Sequence, residues 1–176
     1  MLGYVCKYTP MELFEAMDTE ITRLEPSVTD FNHADTLMHA NICSYTKAVL
    51  EDVMEHDYEG VILTTCCDSI RRLYDTLKSQ FPDKFFFLLD IPRKFNDFAV
   101  TLYERQLKQM LTEYEAFSGK TLDLKRFVSM MQNKAALKKQ ENTRMSASAA
   151  SEKGNGQKLN IGIMGARCNN AICCLI

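Results

Sequence analysis

Short apolar runs alternate with amphipathic segments along most of this chain. The two strongest runs, Gly60–Thr64 and Phe85–Leu89, are rich in β-branched or aromatic side chains. Runs of this kind are typical of parallel strands that are buried on both faces. Two further strands are predicted, one from Leu2 to Tyr8 and a short one from Ile21 to Leu24.

The segments between these runs carry apolar residues at helical spacing. This spacing predicts helices over 44–56, 97–117 and 122–139, and a fourth helix that begins at Asp68 as its N-cap. The residues expected to face the core share that spacing. In the helices over 97–117 and 122–139 they are Val100, Tyr103, Leu107, Met110, Leu111, Tyr114, Leu124, Phe127, Val128 and Met131.

Local signals set the ends of two of the helices. Thr9-Pro10-Met11-Glu12 has the pattern of a capping box, with Thr9 as N-cap and Glu12 at the third helical position. It predicts a helix that turns Met11, Phe14 and Met17 inward. Gly119 is the expected stop of the helix over 97–117. The polar stretch that runs through His33 is interpreted as a loop.

Strands that alternate with helices predict an α/β fold, a Rossmann-like, doubly wound and mostly parallel sheet over residues 1–140. From 141 to 158 the composition shifts to Ser, Ala, Asn, Gly and Lys, which predicts a flexible linker. Residues 159–176 resemble the first strand and glycine turn of a second α/β domain. Because few residues follow that turn, we expect this second domain to be truncated.

The composition of the chain argues against some classes of partner. The 176 residues carry a formal net charge of −2, with cations scattered among acids, so no nucleic-acid partner is expected. No apolar run approaches the roughly 20 residues that span a bilayer, so no membrane partner is expected either. The seven cysteines lack the spacing of a secreted disulfide framework, which favours thiol or metal chemistry in a reducing, cytoplasmic compartment.

Three cysteines stand where two helices are predicted to begin. Cys43 directly precedes the helix over 44–56, and Cys66 and Cys67 directly precede the one at Asp68. Helix N-termini favour anions such as thiolates, and the carboxyl edge of a parallel sheet is where ligands bind. By spacing alone, two interpretations stay open besides metal ligation. The thiols could be packed structural residues, or Cys66 and Cys67 could form a strained vicinal disulfide.

Histidines and arginines give weaker signals. His33 and His39 flank Asp35 but are six residues apart, a spacing that does not suit a zinc site on one helix. We expect them to be solvated loop residues, or one of them to bond to Asp35. The pairs Arg71-Arg72 and Arg93-Lys94 lie near predicted strand ends. They could contact a phosphate-bearing substrate or be ordinary solvated charges.

Four ordered motifs resemble the 2-hydroxyacyl-CoA dehydratase family, and benzoyl-CoA reductase subunits are similar too. They are residues 3–13 (GYVCKYTPMEL), 41–48 (NICSYTKA), 65–68 (TCCD) and 88–92 (LLDIP). At Met17-Asp18-Thr19 the chain departs from the family, whose members usually have a glycine turn there. The likeness extends from Leu2 to about Gly119, with a weaker echo at 161–167.

The resemblance implies a four-iron four-sulfur cluster held by three cysteines between two Rossmann-like domains. It assigns Cys43 and Cys67 as ligands, with Cys66 as the fallback, and leaves the third ligand unassigned. The implied reaction is a radical elimination of water from a 2-hydroxyacyl-CoA to a 2-enoyl-CoA. The implied partners are a second dehydratase subunit, an ATP-dependent activator and the acyl-CoA substrate.

Two other functions are compatible with the same motifs. One is an electron-transfer or reductase protein of the double-cubane iron–sulfur type, in which both Cys66 and Cys67 would help to bind a larger cluster. The other is a single-domain remnant that folds or pairs without chemistry. The iron and sulfide content of the chain separates these possibilities.

Overall fold

Four parallel strands form a single sheet in the part of the chain that the computed structural model describes, residues 1–28, 30–94 and 96–136. The strands are β1 (Leu2–Tyr4), β2 (Ile21–Arg23), β3 (Gly60–Thr64) and β4 (Phe85–Leu89), in the order β2-β1-β3-β4. β3 and β4 have the limits that the sequence predicts. All neighbours are parallel, so every strand ends at the same edge.

Helices cover both faces of this sheet. They are α1 (Met11–Glu15), α2 (Asn32–Leu37), α3 (Ser44–Glu55), α4 (Asp68–Gln80) and α5 (Asp97–Ser118). One apolar cluster joins α2, α3 and α4 to the sheet through residues such as Val49, Val61 and Leu73. A second joins α1 and α5 to the opposite face through Phe14, Ile62 and Met110. The predicted doubly wound α/β fold is therefore confirmed.

The strand order fixes where a ligand crevice can form. From β1 the chain moves outward to β2, and from β3 it moves outward in the opposite direction to β4. The order thus reverses between β1 and β3, and in open α/β sheets ligands bind beyond the carboxyl ends of the strands at such a point. The residues that follow β1 and β3 at this edge include Cys6, Cys66 and Cys67.

Near the amino terminus, the end of the first strand and the start of the first helix differ from the predictions. β1 ends at Tyr4, before a turn in which the Thr9 amide donates to the Cys6 carbonyl over 2.9 Å. The capping box at Thr9 is wrong, because Pro10 holds the N-cap position without a side-chain capping bond. The buried Thr9 hydroxyl has no hydrogen-bond partner among the described residues.

Two other local predictions also change. Asp68 is the first residue of α4 rather than its cap, because Cys67 has extended backbone angles and takes the N-cap position. The stretch through His33 is the helix α2 and not a loop. Asp18, in the turn formed by Met17-Asp18-Thr19, adopts a left-handed backbone with φ 54°. Aspartate tolerates that conformation better than most residues, so the turn forms without glycine.

The long helix shows what periodicity predicts and what it does not. α5 ends at Gly119, whose φ of 69° is the left-handed C-cap that the sequence predicts. Met110 and Tyr114 are buried as expected, but Val100 is 48% exposed. Residues 124–136 are helical, yet the expected core residues Leu124, Val128 and Met131 are exposed. Helical spacing is a local property, whereas burial depends on what packs against the face.

The chain divides into two compact units, Met1–Phe127 and Val128–Ile176. The first contains the whole sheet and the helices α1 to α5. Of the second, residues 128–136 are described, and they are helical. The predicted linker over 141–158 and the predicted second-domain strand over 159–176 lie outside the described residues.

Candidate functional site

Cys43 and Cys67 begin two helices that run in the same direction. α3 leads into the amino end of β3, and α4 leaves its carboxyl end, so both helices run opposite to the strand. The 12 residues of α3 rise by about 18 Å and the 5 residues of β3 by about 16 Å, so the start of α3 returns to the level of the strand's carboxyl end. The two cysteines are the N-cap residues of α3 and α4.

The Cys43 thiol is exposed and has a polar neighbour within its own helix. Its Sγ lies 3.1 Å from Oγ1 of Thr46, a residue that is fully buried. Thr46 can therefore donate to a thiolate on Cys43, and its burial keeps the hydroxyl in one place. Sequence reasoning missed Thr46, although its position three residues after Cys43 was a usable signal.

A second set of hydrogen bonds holds the turn that carries Cys66 and Cys67. The Thr65 amide donates to the Leu89 carbonyl over 3.0 Å, and the Thr65 hydroxyl donates to the Asp90 carboxylate. The Cys66 amide donates to the Thr64 carbonyl over 2.7 Å, which closes a tight turn. Both thiols are exposed, so they are open to a ligand from solvent.

Asp90 is itself held from the other face of the sheet. Its backbone amide donates to Oε1 of Gln106, on α5, over 2.8 Å. The carboxyl end of β4 is thus joined both to the cysteine turn and to a helix. The motif at 88–92 pointed to Asp90, whereas Gln106 could not be found from the sequence because its partner is 16 residues away.

Cys6 follows β1 at the same edge and is half-buried. Burial raises the pKa of Tyr103, on α5, and the nearby Cys6 and Glu12 raise the pKa further. The thiol of Cys6 is less accessible than those of Cys43, Cys66 and Cys67.

No group of three or more histidine, cysteine or acidic side chains able to hold a metal occurs in the described part of the chain. The four cysteines described are not joined in disulfides, so the vicinal disulfide is not formed here. Cys168, Cys173 and Cys174 lie outside the described residues. The described cysteines therefore do not form a complete set of metal ligands.

The predicted loop histidine has a different role. His33 lies on α2, and its Nδ1 is 2.7 Å from Oε2 of Glu51, a buried residue of α3. The Ala34 amide donates to the other oxygen of Glu51 over 2.8 Å. Asp35, expected as a histidine partner, instead accepts from Lys47 over 2.5 Å. These contacts fix α2 against α3 and make His33 structural.

The predicted cationic pairs differ in their surroundings. Arg72 forms an ion pair with Asp75 over 3.1 Å on α4. Arg93 and Lys94 follow β4 and line a cleft of about 440 Å³ together with Pro92, Ala99, Val100 and Tyr103. This cleft lies at the carboxyl edge of the sheet, on the α5 side.

The chain was compared with known proteins and protein families. None of the described helices has the length and apolarity needed to cross a bilayer. No curated protein matches the chain. The family model of the 2-hydroxyglutaryl-CoA dehydratase D-component matches residues 6–162, which is most of the chain; it includes the motifs at 41–48, 65–68 and 88–92 in full and residues 6–13 of the first motif. The chain therefore belongs to the 2-hydroxyglutaryl-CoA dehydratase D-component family.

Proposed function

We propose that this chain is an iron–sulfur subunit of a 2-hydroxyacyl-CoA dehydratase and that Cys43 and Cys67 ligate a four-iron four-sulfur cluster. The observation that carries the proposal is the placement of both thiols. Each belongs to an exposed residue at the N-cap position of a helix, and the two helices, α3 and α4, run in the same direction, in a chain of this family. Cys66, next to Cys67 in the same turn, is the fallback ligand.

The donor chemistry of these residues suits such a cluster. Iron–sulfur clusters are held by cysteine thiolates, and thiolates are favoured at helix N-termini by the partial positive charge of the helix. The described residues supply thiols from two separate elements and no group of three. We therefore infer that the remaining ligand comes from residues 137–176, from further sequence of the same protein or from a partner subunit.

The chain's own residues would set up the site in three ways. Thr46 holds a donor 3.1 Å from the Cys43 sulfur. The bond from Thr65 to Asp90 fixes the turn that presents Cys67. The α3 and α4 dipoles offset the negative charge of thiolates. When bound, the cluster would supply a one-electron carrier and a Lewis-acidic iron.

The proposed reaction removes water across the 2,3-bond of the acyl chain. A 2-hydroxyacyl-CoA loses the hydroxyl at carbon 2 and a proton at carbon 3, which gives a 2-enoyl-CoA and one water molecule without net oxidation. An electron that starts the reaction is returned at its end. The proposed partners are a second dehydratase subunit and an ATP-dependent activator that donates this electron, and the proposed location is the cytoplasm.

The test is iron and sulfide determination after anaerobic reconstitution of the full chain, alone and together with its partner subunit, with electron paramagnetic resonance of the reduced sample. About four iron and four sulfide per chain, with the spectrum of a reduced cubane cluster, are expected. Cys43→Ser and Cys67→Ser should each lose most of the bound iron. Cys66→Ser and the control Cys6→Ser should retain it.

Other outcomes would change the ligand or the function. Loss of iron in Cys66→Ser but not in Cys67→Ser would show that Cys66 is the ligand in place of Cys67. About eight iron per chain, lost with either Cys66 or Cys67, identifies a double-cubane protein instead. Absence of iron from a folded chain, alone and with its partner subunit, overturns the cluster proposal.

A further inference from the structure

The cleft that follows β4 combines apolar lining residues with two adjacent cations. It is lined by Pro92, Ala99, Val100 and Tyr103 and by the cations Arg93 and Lys94. Its volume of about 440 Å³ is in the range of small-molecule sites in proteins. Val100 is 48% exposed, although it was expected to be buried, so an apolar surface remains open within the cleft.

Several cations in the described part of the chain already have an acidic partner. Lys47, Lys84 and Arg126 each have a carboxylate partner within ion-pair distance. Arg93 and Lys94 are exposed and have neither an ion pair nor a hydrogen bond among the described residues. Asp97 begins α5 nearby but does not line the cleft. The charge of the cleft therefore favours an anionic ligand.

Aromatic and apolar walls beside paired cations match a phosphorylated nucleoside. A purine ring can stack on a tyrosine or pack on valine and proline, while phosphate oxygens accept charge-assisted hydrogen bonds from arginine and lysine. Inorganic phosphate would use the cations but not the walls. A fatty chain would use the walls but not the cations.

We propose that this cleft binds the phosphorylated adenosine end of the acyl-CoA substrate, with Arg93 and Lys94 on its phosphates. The identity of the acyl part rests on the proposed function, whereas the site for the nucleotide end rests on the cleft. The thiols and the cleft both lie at the carboxyl edge of the sheet. The thiols are on the α3 and α4 side, and the cleft is on the α5 side.

Tyr103 connects the cleft to the strand ends. It lines the cleft and also packs against the apolar cluster that contains Tyr4, the last residue of β1. A long, flexible pantetheine arm separates the nucleotide of CoA from its thioester. In the proposed arrangement this arm runs past Tyr103 and the strand ends, toward the edge where Cys43 and Cys67 lie.

The experiment is calorimetric titration of the full, iron-free chain with CoA and with pantetheine, which lacks the nucleotide. CoA should bind and pantetheine should not, and added salt should weaken CoA binding. The double variant Arg93→Ala/Lys94→Ala should bind CoA about tenfold more weakly or worse, because it loses charge-assisted bonds. Val100→Glu, which places a negative charge in the cleft at an exposed position, should do the same.

The matched control is Arg105→Ala/Lys125→Ala. It removes the same charge at two exposed positions that do not line the cleft, so CoA binding should stay within about twofold of wild type. Equal weakening by both double variants would show that only net charge matters and would overturn the proposal. Unchanged binding in Arg93→Ala/Lys94→Ala, or equal binding of pantetheine, would also overturn it.

The titration uses no iron, so its result does not depend on the cluster. If the chain binds CoA through Arg93 and Lys94 but takes up no iron, the nucleotide site is supported and the proposed dehydratase function is contradicted. If the chain takes up iron through Cys43 and Cys67 but binds CoA independently of the cleft, the cluster proposal is supported and the nucleotide site is contradicted.

Discussion

The hydroxyl of Thr65 donates a hydrogen bond to the carboxylate of Asp90, just beyond the carboxyl ends of two neighbouring strands. Thr65 follows β3 and immediately precedes the cysteine pair, while Asp90 follows β4. The Thr65 amide also donates to Leu89, so one residue bonds to the end of β4 through both its main chain and its side chain. The position of the thiol-bearing turn is thereby fixed relative to the sheet.

Loss of this bond should loosen the cysteine turn more than it destabilises the protein. We expect Thr65→Val to lower the free energy of unfolding by about 1 kcal/mol, the usual value of such a bond. We also expect faster alkylation of Cys66 and Cys67 by iodoacetamide, followed by peptide mass spectrometry, and faster hydrogen exchange in the turn. The alkylation rate of Cys43 should stay unchanged and is the internal reference.

Thr112→Val is the matched control for that variant. The Thr112 hydroxyl donates to the Lys108 carbonyl within α5, on an exposed helix surface away from the strand ends. It should leave all three alkylation rates unchanged. If Thr65→Val also leaves them unchanged, the hydrogen bond to Asp90 does not hold the turn.

A buried carboxylate makes the contact between α2 and α3 dependent on pH. Glu51 is 2% exposed. Burial raises its pKa, but the hydrogen bonds from Ala34 and His33 lower the pKa by more, so the net pKa lies below its usual range. The folded state therefore binds this proton less readily than the unfolded state. The stability that results is complete above the usual glutamate pKa and is lost as the pH falls through the folded pKa.

Glu51→Gln should lower the free energy of unfolding by about 1–3 kcal/mol near neutral pH, because it removes a charged hydrogen-bond acceptor from a buried site. The difference from wild type should shrink as the pH falls below the usual glutamate pKa, because the carboxylate of the wild type is then protonated as well. Urea unfolding across this range measures it. Glu55→Gln, at an exposed position of the same helix, should show neither effect. A difference that persists undiminished at low pH would contradict the role of the charge.

The pairing of β3 with β4 requires glycine at one position. A Cβ atom at Gly60 would lie 2.0 Å from the main-chain oxygen of Phe85, its partner residue in the sheet. Since a backbone atom cannot move aside cheaply, Gly60→Ala should destabilise the protein by about 3 kcal/mol. Thermal or urea unfolding monitored by circular dichroism measures the loss.

Gly3→Ala provides the comparison within the same sheet. Its Cβ would meet side-chain atoms of Leu24 and Val61 at 3.1–3.3 Å, and side chains can adjust. The expected destabilisation is at most about 1 kcal/mol. Equal effects of the two substitutions would show that the clash with the Phe85 backbone is relieved by movement of the strands.

The sequence by itself determined the elements whose signal is local. The apolar runs of the strands, the helical spacing of α3 and the glycine at the end of α5 all act within a few residues, so the fold class and all four strands followed from them, although β1 ends at Tyr4 rather than at Tyr8. The four motifs likewise carried the family. The positions of Cys43 and Cys67 at helix starts followed from the same local patterns.

Only the tertiary structure decided the strand order, the partners of buried polar groups and the burial of each apolar face. Glu51 has the sequence pattern of an ordinary helix-surface acid, and its burial became visible only when α2 placed Ala34 and His33 against it. Val100 has core spacing but remains exposed in a cleft. The physical reason is that hydrogen bonds and packing between distant segments depend on which elements the fold brings together, and no local pattern contains that information.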